Sequence, residues 1–399
     1  MTLNAVGNLL YLAAQWVVTV LVARLSALSA AGVLSLAMSL SAIFQTVAFF
    51  GVRSFQISDV KEEFSDGHYL TLRHLSALAS AVLALLFALL LGYRGEVLAA
   101  SLLYMLFRIA ESYSDVLHGM AQRRGRLDVA GIGFTVKSVA LLLGFLIGFL
   151  PNRSLTLGLA LMTVGSLLST ILYDLPAVRR ITAFSLALSP KRSLALAKKT
   201  APLCLQLFFY LSLSSLPKFV LEKMENTEIL GAYASIFAPA LLLLAAAGYL
   251  YTPFAPTFAR LCEEKKERAF FMLFLKIVAA LGVTLLLALG ADLLIGEWAL
   301  VLLFGEKIRP YTDLLSPILI SVILTALLSF LSLLVTVRRR LLILCVGTGI
   351  GASVALLFCF LLIPRCGANG ASLALSAGAA LASLFLIPAA LLPKKEVEE

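Results

Sequence analysis

The sequence predicts an all-α integral membrane protein of about twelve transmembrane helices, arranged as two six-helix bundles related by a pseudo-two-fold axis. Three observations predict it. Of the 399 residues 61% are hydrophobic and 14% charged, whereas soluble domains carry about 25% charged residues. The apolar residues come in continuous runs, such as Leu75 to Leu91 and Leu141 to Leu150. In lipid every backbone amide must be paired internally, which leaves helices or a closed barrel. Barrel strands alternate apolar and polar residues, and these runs do not. Finally, the basic residues collect in alternate loops, as orientation in a bilayer requires.

A hydrocarbon core of about 30 Å needs roughly 20 helical residues. On that measure the first span is 3–25 and closes near Arg24. It lacks a basic n-region and carries Arg24 where a cleavage site would need small residues, so it is read as a retained helix rather than a signal. The second span, 30–56, ends in Gly51-Val-Arg53-Ser-Phe-Gln56-Ile-Ser-Asp59, whose Ser-Asp stops the helix. The third, 73–92, holds the first long apolar run. The fourth, 95–120, carries Tyr104, Arg108, Glu111, Ser112, Asp115 and His118. Spans five and six are 128–150, with Lys137 and the close pair Gly131 and Gly133, and 155–175.

The basic segment 181–199 then connects an N-terminal bundle, 1–180, to a C-terminal bundle, 200–399. The second set of spans is 200–222 with Lys218, 229–258, 268–291 with Lys276, 312–336, 340–363 with Gly347 and Gly351, and 368–392 with small residues from Ala371 through Ala382. Small residues at helical spacing let membrane helices approach closely. Gly32-Val-Leu-Ser-Leu-Ala echoes Gly231-Ala-Tyr-Ala-Ser-Ile, and Pro151-Asn152-Arg153 echoes Pro364-Arg365-Cys366. Six spans per half return the chain to the same side, giving parallel repeats.

With both termini in the cytoplasm, 20 basic residues fall in inner loops and 6 in outer ones. The inner set includes Lys61, Arg73, Arg123, Arg124, Arg179, Arg180, Lys394 and Lys395. The net charge of +10 is then a topology signal, and no nucleic acid is needed to explain it. The five cysteines have no metal-ligand spacing and there are three histidines, so no metal is expected. No Gly-x-x-x-x-Gly-Lys-Ser/Thr occurs, and Gly347-Thr-Gly-Ile-Gly351 lies inside an apolar helix without a preceding strand. Neither a catalytic constellation nor a cofactor is expected.

Charges inside the membrane are costly and tend to mark pathways. Arg24, Arg53 and Lys276 lie near span ends and can reach water by snorkelling. Lys218 lies near the outer end of its span. Arg108 and Lys137 are deep, so each must face a cavity or pair with an acid. Glu111 and Asp115 share one helical face with Arg108. Two readings stay open: an Arg108–Glu111 pair that locks the bundle, and a polar wall of a central cavity. The segment around Gln56 and Asp59 is either a helix end or an inner gate. A cation surplus suits an anionic ligand, because guanidinium groups grip phosphate in bidentate fashion.

Four stretches together resemble a known family: Arg53 to Asp59, Leu216-Pro217-Lys218, Leu230-Gly231-Ala-Tyr233-Ala-Ser235 and Ile363-Pro364-Arg-Cys-Gly367-Ala-Asn369-Gly370-Ala-Ser372, with Leu303-Phe304-Gly305 as a further element. They resemble the oligosaccharide flippases, O-antigen and teichoic-type repeat-unit translocases, of the multidrug/oligosaccharidyl-lipid/polysaccharide (MOP) exporter superfamily. Lys218 departs from the pattern, since relatives often carry Arg there.

The resemblance implies a MATE/MOP-like fold in the plasma (inner) membrane and alternating access through a cationic cavity. Its implied cargo is a polyprenyl-pyrophosphate-linked oligosaccharide moved from the inner to the outer leaflet. Arg24, Arg53, Arg108, Lys137 and Lys218 are then the substrate-binding candidates. Glu111 and Asp115 are candidates for a coupling cation, Na+ or H+, and Gln56 and Asp59 for the gate. Implied partners are the lipid-linked glycan, membrane lipid, a glycan polymerase and glycosyltransferases. Competing readings are a drug/cation antiporter of the same superfamily and a polyprenyl-dependent membrane glycosyltransferase or polymerase.

Overall fold

The structure, a computed structural model, describes residues 2–59 and 62–392. Lys61, Lys394 and Lys395, three of the expected inner-loop cations, lie outside the described residues. Among the described residues every regular element is helical, and twelve helices are long. They are α1 Thr2–Leu25, α2 Leu28–Phe49, α3 Asp66–Leu90, α4 Gly95–Arg123, α5 Leu127–Phe149 and α6 Leu155–Arg179. Then follow α7 Pro190–Met224, α8 Thr227–Glu263, α9 Glu267–Phe304, α10 Glu306–Val337, α11 Leu341–Cys366 and α12 Ala368–Leu391. Eleven are long and apolar enough to cross a membrane. The twelfth, α4, is 29 residues long and carries Arg108, Glu111 and Asp115 in its middle turns. The chain is a multi-pass membrane protein with the expected all-helical fold.

The apolar-run reading misjudged two helix starts for the same reason: polar opening turns hide a helix from hydropathy. α3 begins seven residues before its predicted start, at Asp66, where the Ser65 amide donates to His68 Nδ1 at 3.3 Å. Arg73, counted above as a loop cation, therefore sits inside α3 and is fully buried. α7 begins at Pro190 and takes in Lys191, Arg192, Lys198 and Lys199. The non-helical part of the connector is thus short, and it is pinned to α3. The Ala187 amide donates to the Gly67 carbonyl at 3.5 Å, and Thr71 Oγ1 donates to the Ala187 carbonyl at 3.2 Å.

Two of the helix interruptions fall in the first half of the chain. After α2 the backbone turns left-handed at Phe50 and Gly51, with φ of 48° and 62°. Glycine has no Cβ to oppose that conformation, and the turn starts a separate short helix, Val52–Ser58. In α6 a π turn, Thr170–Asp174, inserts one wide turn before Pro176.

The described residues form two compact units divided between Phe208 and Phe209, within α7. In the first, α5 packs on both α1 and α6, and α2 packs on α3 and α4. In the second, α12 packs on α10 and α11, and α8 and α9 pack on α10. Close approach depends on small residues, as their spacing suggests. A Cβ on Gly378 of α12 would lie 2.5 Å from the Gly351 carbonyl oxygen of α11.

Candidate functional site

α4 is the spine of a charged network inside the first unit. Residues 108, 111, 115, 118 and 122 recur every three or four positions, so they share one face. Each reaches a partner. Arg108 Nη1 pairs with Glu111 Oε2 at 2.5 Å, and its guanidinium lies 5.3 Å and 5.4 Å from the ring centroids of Tyr104 and Phe107. Asp115 bridges two arginines: Arg53 Nη1 lies 3.5 Å from its Oδ1, and Arg73 Nη2 lies 3.0 Å from its Oδ2. Arg53 also donates to Gln122 Oε1 at 3.1 Å. Arg73 donates to the Ala48 carbonyl and stands 5.4 Å from the Phe49 ring, so it ties α3 to α2 and α4.

A second knot lies between α4, α5 and α6. His118 Nε2 donates to Asp174 Oδ1 at 2.9 Å, and Ser114 Oγ donates to Asp174 Oδ2 at 2.6 Å. Lys137 donates to Ser114 Oγ, and its Nζ is 3.8 Å from Asp174 Oδ2. Ser114 Oγ also lies 2.8 Å from Thr170 Oγ1. Local sequence makes room for this pair. A Cβ at Gly133 would come within 2.5 Å of Asp174 Oδ1 and 2.6 Å of His118 Nε2. The π turn brings Asp174 inward, where it and Lys137 are 1% and 2% exposed.

Exposure separates the cations into two kinds. Arg73 and Lys137 are sealed against carboxylates, at 0% and 2%. Arg53 and Arg108 keep 23% and 19% of their side chains open. The sealed pair is enclosed between helices, whereas the open pair keeps part of each side chain accessible. Four basic side chains face three carboxylates here, a formal surplus of one.

The segment after α2 is tied down from both ends. Gln56 is fully buried against α4, where Gly119 leaves space for its amide, and neither its Oε1 nor its Nε2 finds a partner among the described atoms. Asp59 Oδ1 accepts from the Glu63 amide at 3.0 Å. Its Oδ2 accepts from the Phe64 amide at 3.1 Å and from the Tyr69 hydroxyl at 2.7 Å. Burial alone would raise the Asp59 pKa. The Tyr69, Phe64 and Glu63 donors and the charge of Arg123 outweigh it and hold the carboxyl below the ordinary aspartate range.

Of the residues singled out from sequence, the structure joins Arg53, Arg108, Glu111, Asp115 and Lys137 into this one unit, with Gln56 and Asp59 on the adjoining segment. Arg24 is exposed in the last turn of α1. Lys218 lies in the second unit, half-buried on α7 with its Nζ 4.9 Å from the Phe237 ring centroid. No carboxylate among the described residues pairs with Lys218. Lys276 is exposed on α9. Sequence reasoning missed Arg73 and Asp174. An acid two residues before a proline at the end of an apolar run was the available signal for Asp174.

No known protein-family profile matches the chain. Over 386 residues it is 23% identical to the capsular polysaccharide biosynthesis protein CapF of Staphylococcus aureus, covering 93% of both chains. Its fold is that of the lipid II flippase MurJ in an inward closed conformation, with TM-score 0.76 and 13% identity over 97% of this chain and 87% of that one. It is equally the fold of a multidrug resistance MATE family transporter of the MOP superfamily in an inward-facing conformation, with TM-score 0.70 and 13% identity over 94% and 92% of the two chains.

Proposed function

We propose that this protein is a flippase of the MOP superfamily that carries a polyprenyl-pyrophosphate-linked oligosaccharide from the inner to the outer leaflet. The observation that carries the reading is the open cationic face of the first unit, Arg53 and Arg108, together with the acid-free Lys218 of the second. A pyrophosphate crossing hydrocarbon must replace its hydration, and fixed guanidinium forks do so with little reorganisation. The relative from S. aureus, named for capsular polysaccharide biosynthesis, supports a glycan cargo. The shared fold supports passage through inward- and outward-open states, with a glycan polymerase and glycosyltransferases as neighbours in the pathway.

Both termini lie in the cytoplasm in this reading. The inside-negative potential then favours outward movement of the anionic headgroup, by about 2.3 kcal/mol per charge per 100 mV. Glu111 and Asp115 are where Na+ or H+ would couple, because either ion loosens their hold on Arg108, Arg53 and Arg73 and so changes the balance of states. Gln56 is the gate element. A buried amide without partners costs about 1–3 kcal/mol, which favours a second arrangement that pairs it.

The test is export of surface glycan from cells that depend on this chain for it. Arg53→Gln, Arg108→Gln and Lys218→Gln should each cut export while membrane expression holds. Full export from all three variants would sink the site. Drug resistance conferred on a sensitive host, without glycan export, would move the protein to the antiporter class.

A further inference from the structure

The first unit holds a crevice of about 410 Å³ between α3, α4, α6 and the connector. It meets the second knot at Thr170 but is lined by none of the network's charged side chains, and the transport reading makes no use of it. Its volume falls within the roughly 300–1,000 Å³ range of ligand pockets. Leu70, Leu117, Leu167 and Ile171 form apolar walls, and Phe184 and Leu186 of the connector close one side. The adjoining face of α6 exposes Leu167, Leu168, Ile171 and Leu172, the last at 70%. In a multi-pass membrane protein such a face meets acyl chains.

One end of the crevice has a different chemistry. Arg179 lines it, and Arg180 follows in sequence; both are exposed, and no carboxylate among the described residues pairs with either. His74 lies on the wall with its ring against Tyr113, centroids 5.2 Å apart, and its Nδ1 against the Leu70 carbonyl at 2.8 Å. The crevice thus runs from an apolar slot to unpaired positive charge at the end of α6, beside the polar turns where α3 begins and α4 ends. Basic pockets between membrane helices hold anionic lipid headgroups, most often on the cytoplasmic side.

We infer that this crevice binds a phospholipid with an anionic headgroup, one acyl chain lying against Leu167 and Ile171 and the phosphate meeting Arg179. The connector forms part of the wall, so the lipid would brace the segment that leads into α7. This inference does not rest on the identity of the transported cargo.

The test is native mass spectrometry on the purified, delipidated full chain, titrated with phosphatidylglycerol, phosphatidylcholine and undecaprenyl phosphate. Phosphatidylglycerol should bind about fivefold more tightly than phosphatidylcholine for each arginine engaged. Arg179→Gln should remove that preference and leave phosphatidylcholine uptake unchanged. Leu167→Trp, at a half-open wall position that tolerates a larger ring, should reduce uptake of both phospholipids. Equal binding of the two by the unaltered protein would overturn the proposal, as would an undiminished preference in Arg179→Gln. Undecaprenyl phosphate displacing phosphatidylglycerol at equal concentration would also overturn it, by assigning the slot to a polyprenyl tail.

Discussion

The two units of this protein use the same secondary structure but place buried charge differently. The first buries charge: Arg73, Lys137, Asp115 and Asp174 are fixed between helices by ion pairs. The second buries mostly rings and hydroxyls, and its buried cation, Arg338, sits at a helix end, 2.7 Å from Glu267. Phe330 is met by Tyr251, Phe258 and Phe274, with centroids 5.3–5.9 Å apart, and Tyr210 and Ser329 share a hydrogen bond at 2.5 Å. Charge inside a membrane protein is hard to place and easy to disturb, whereas ring stacks tolerate small shifts. In the proposed reading the first unit is therefore where coupling ions would act on buried charge, while the second offers Lys218, a cation without a carboxylate partner.

The contrast can be broken experimentally. Asp174→Asn leaves Lys137 buried without a full countercharge and should destabilise the purified protein by about 3 kcal/mol, read from thermal unfolding in detergent. A loss comparable to a surface substitution would mean that the knot is hydrated and that the contrast fails. In the second unit the large effects should be steric instead. Gly378→Leu drives a side chain into the Gly351 backbone and should cost about 2 kcal/mol.

Smaller changes sharpen it. Asp59→Asn removes a carboxylate that takes three donors and should cost about 1 kcal/mol at neutral pH. Because the folded pKa of Asp59 is depressed, its contribution is complete above the ordinary aspartate value and fades as pH falls through the folded value. Unfolding midpoints of the parent and variant should therefore converge in acid. Tyr233→Phe deprives Ser372 Oγ, 3.3 Å away, of its acceptor and should cost about 1 kcal/mol with no change across the same pH range. Lys218→Gln should leave stability within about 0.5 kcal/mol of the parent, because no ion pair is lost. If Lys218 proves as costly to remove as Asp174, its charge is structural rather than free for a ligand.

The fold was legible because hydrophobic runs and helix length are local properties. The stripe on α4 was legible for the same reason, since 108, 111 and 115 follow helical spacing. Partnership was not. The sequence leaves Lys137 to face a cavity or an unnamed acid, and the carboxylate it meets is Asp174, on a helix nearly forty residues away in sequence. No periodicity could supply that contact, because the π turn shifts the face on which Asp174 falls. Arg73 was hidden differently. Its helix opens with Asp66, His68 and Tyr69, polar residues held by capping and by Asp59, and hydropathy places a helix start only where apolar residues begin.

The extra residue in the Thr170–Asp174 turn has a consequence for how such a helix changes over generations. One added position turns everything beyond it by about 100° while the preceding turns keep their neighbours. A single-codon insertion or deletion there would exchange which side chains look inward and which look toward lipid, without moving either end of α6 far. Lineages differing by that one codon would share a fold and yet present different ionisable groups to the interior.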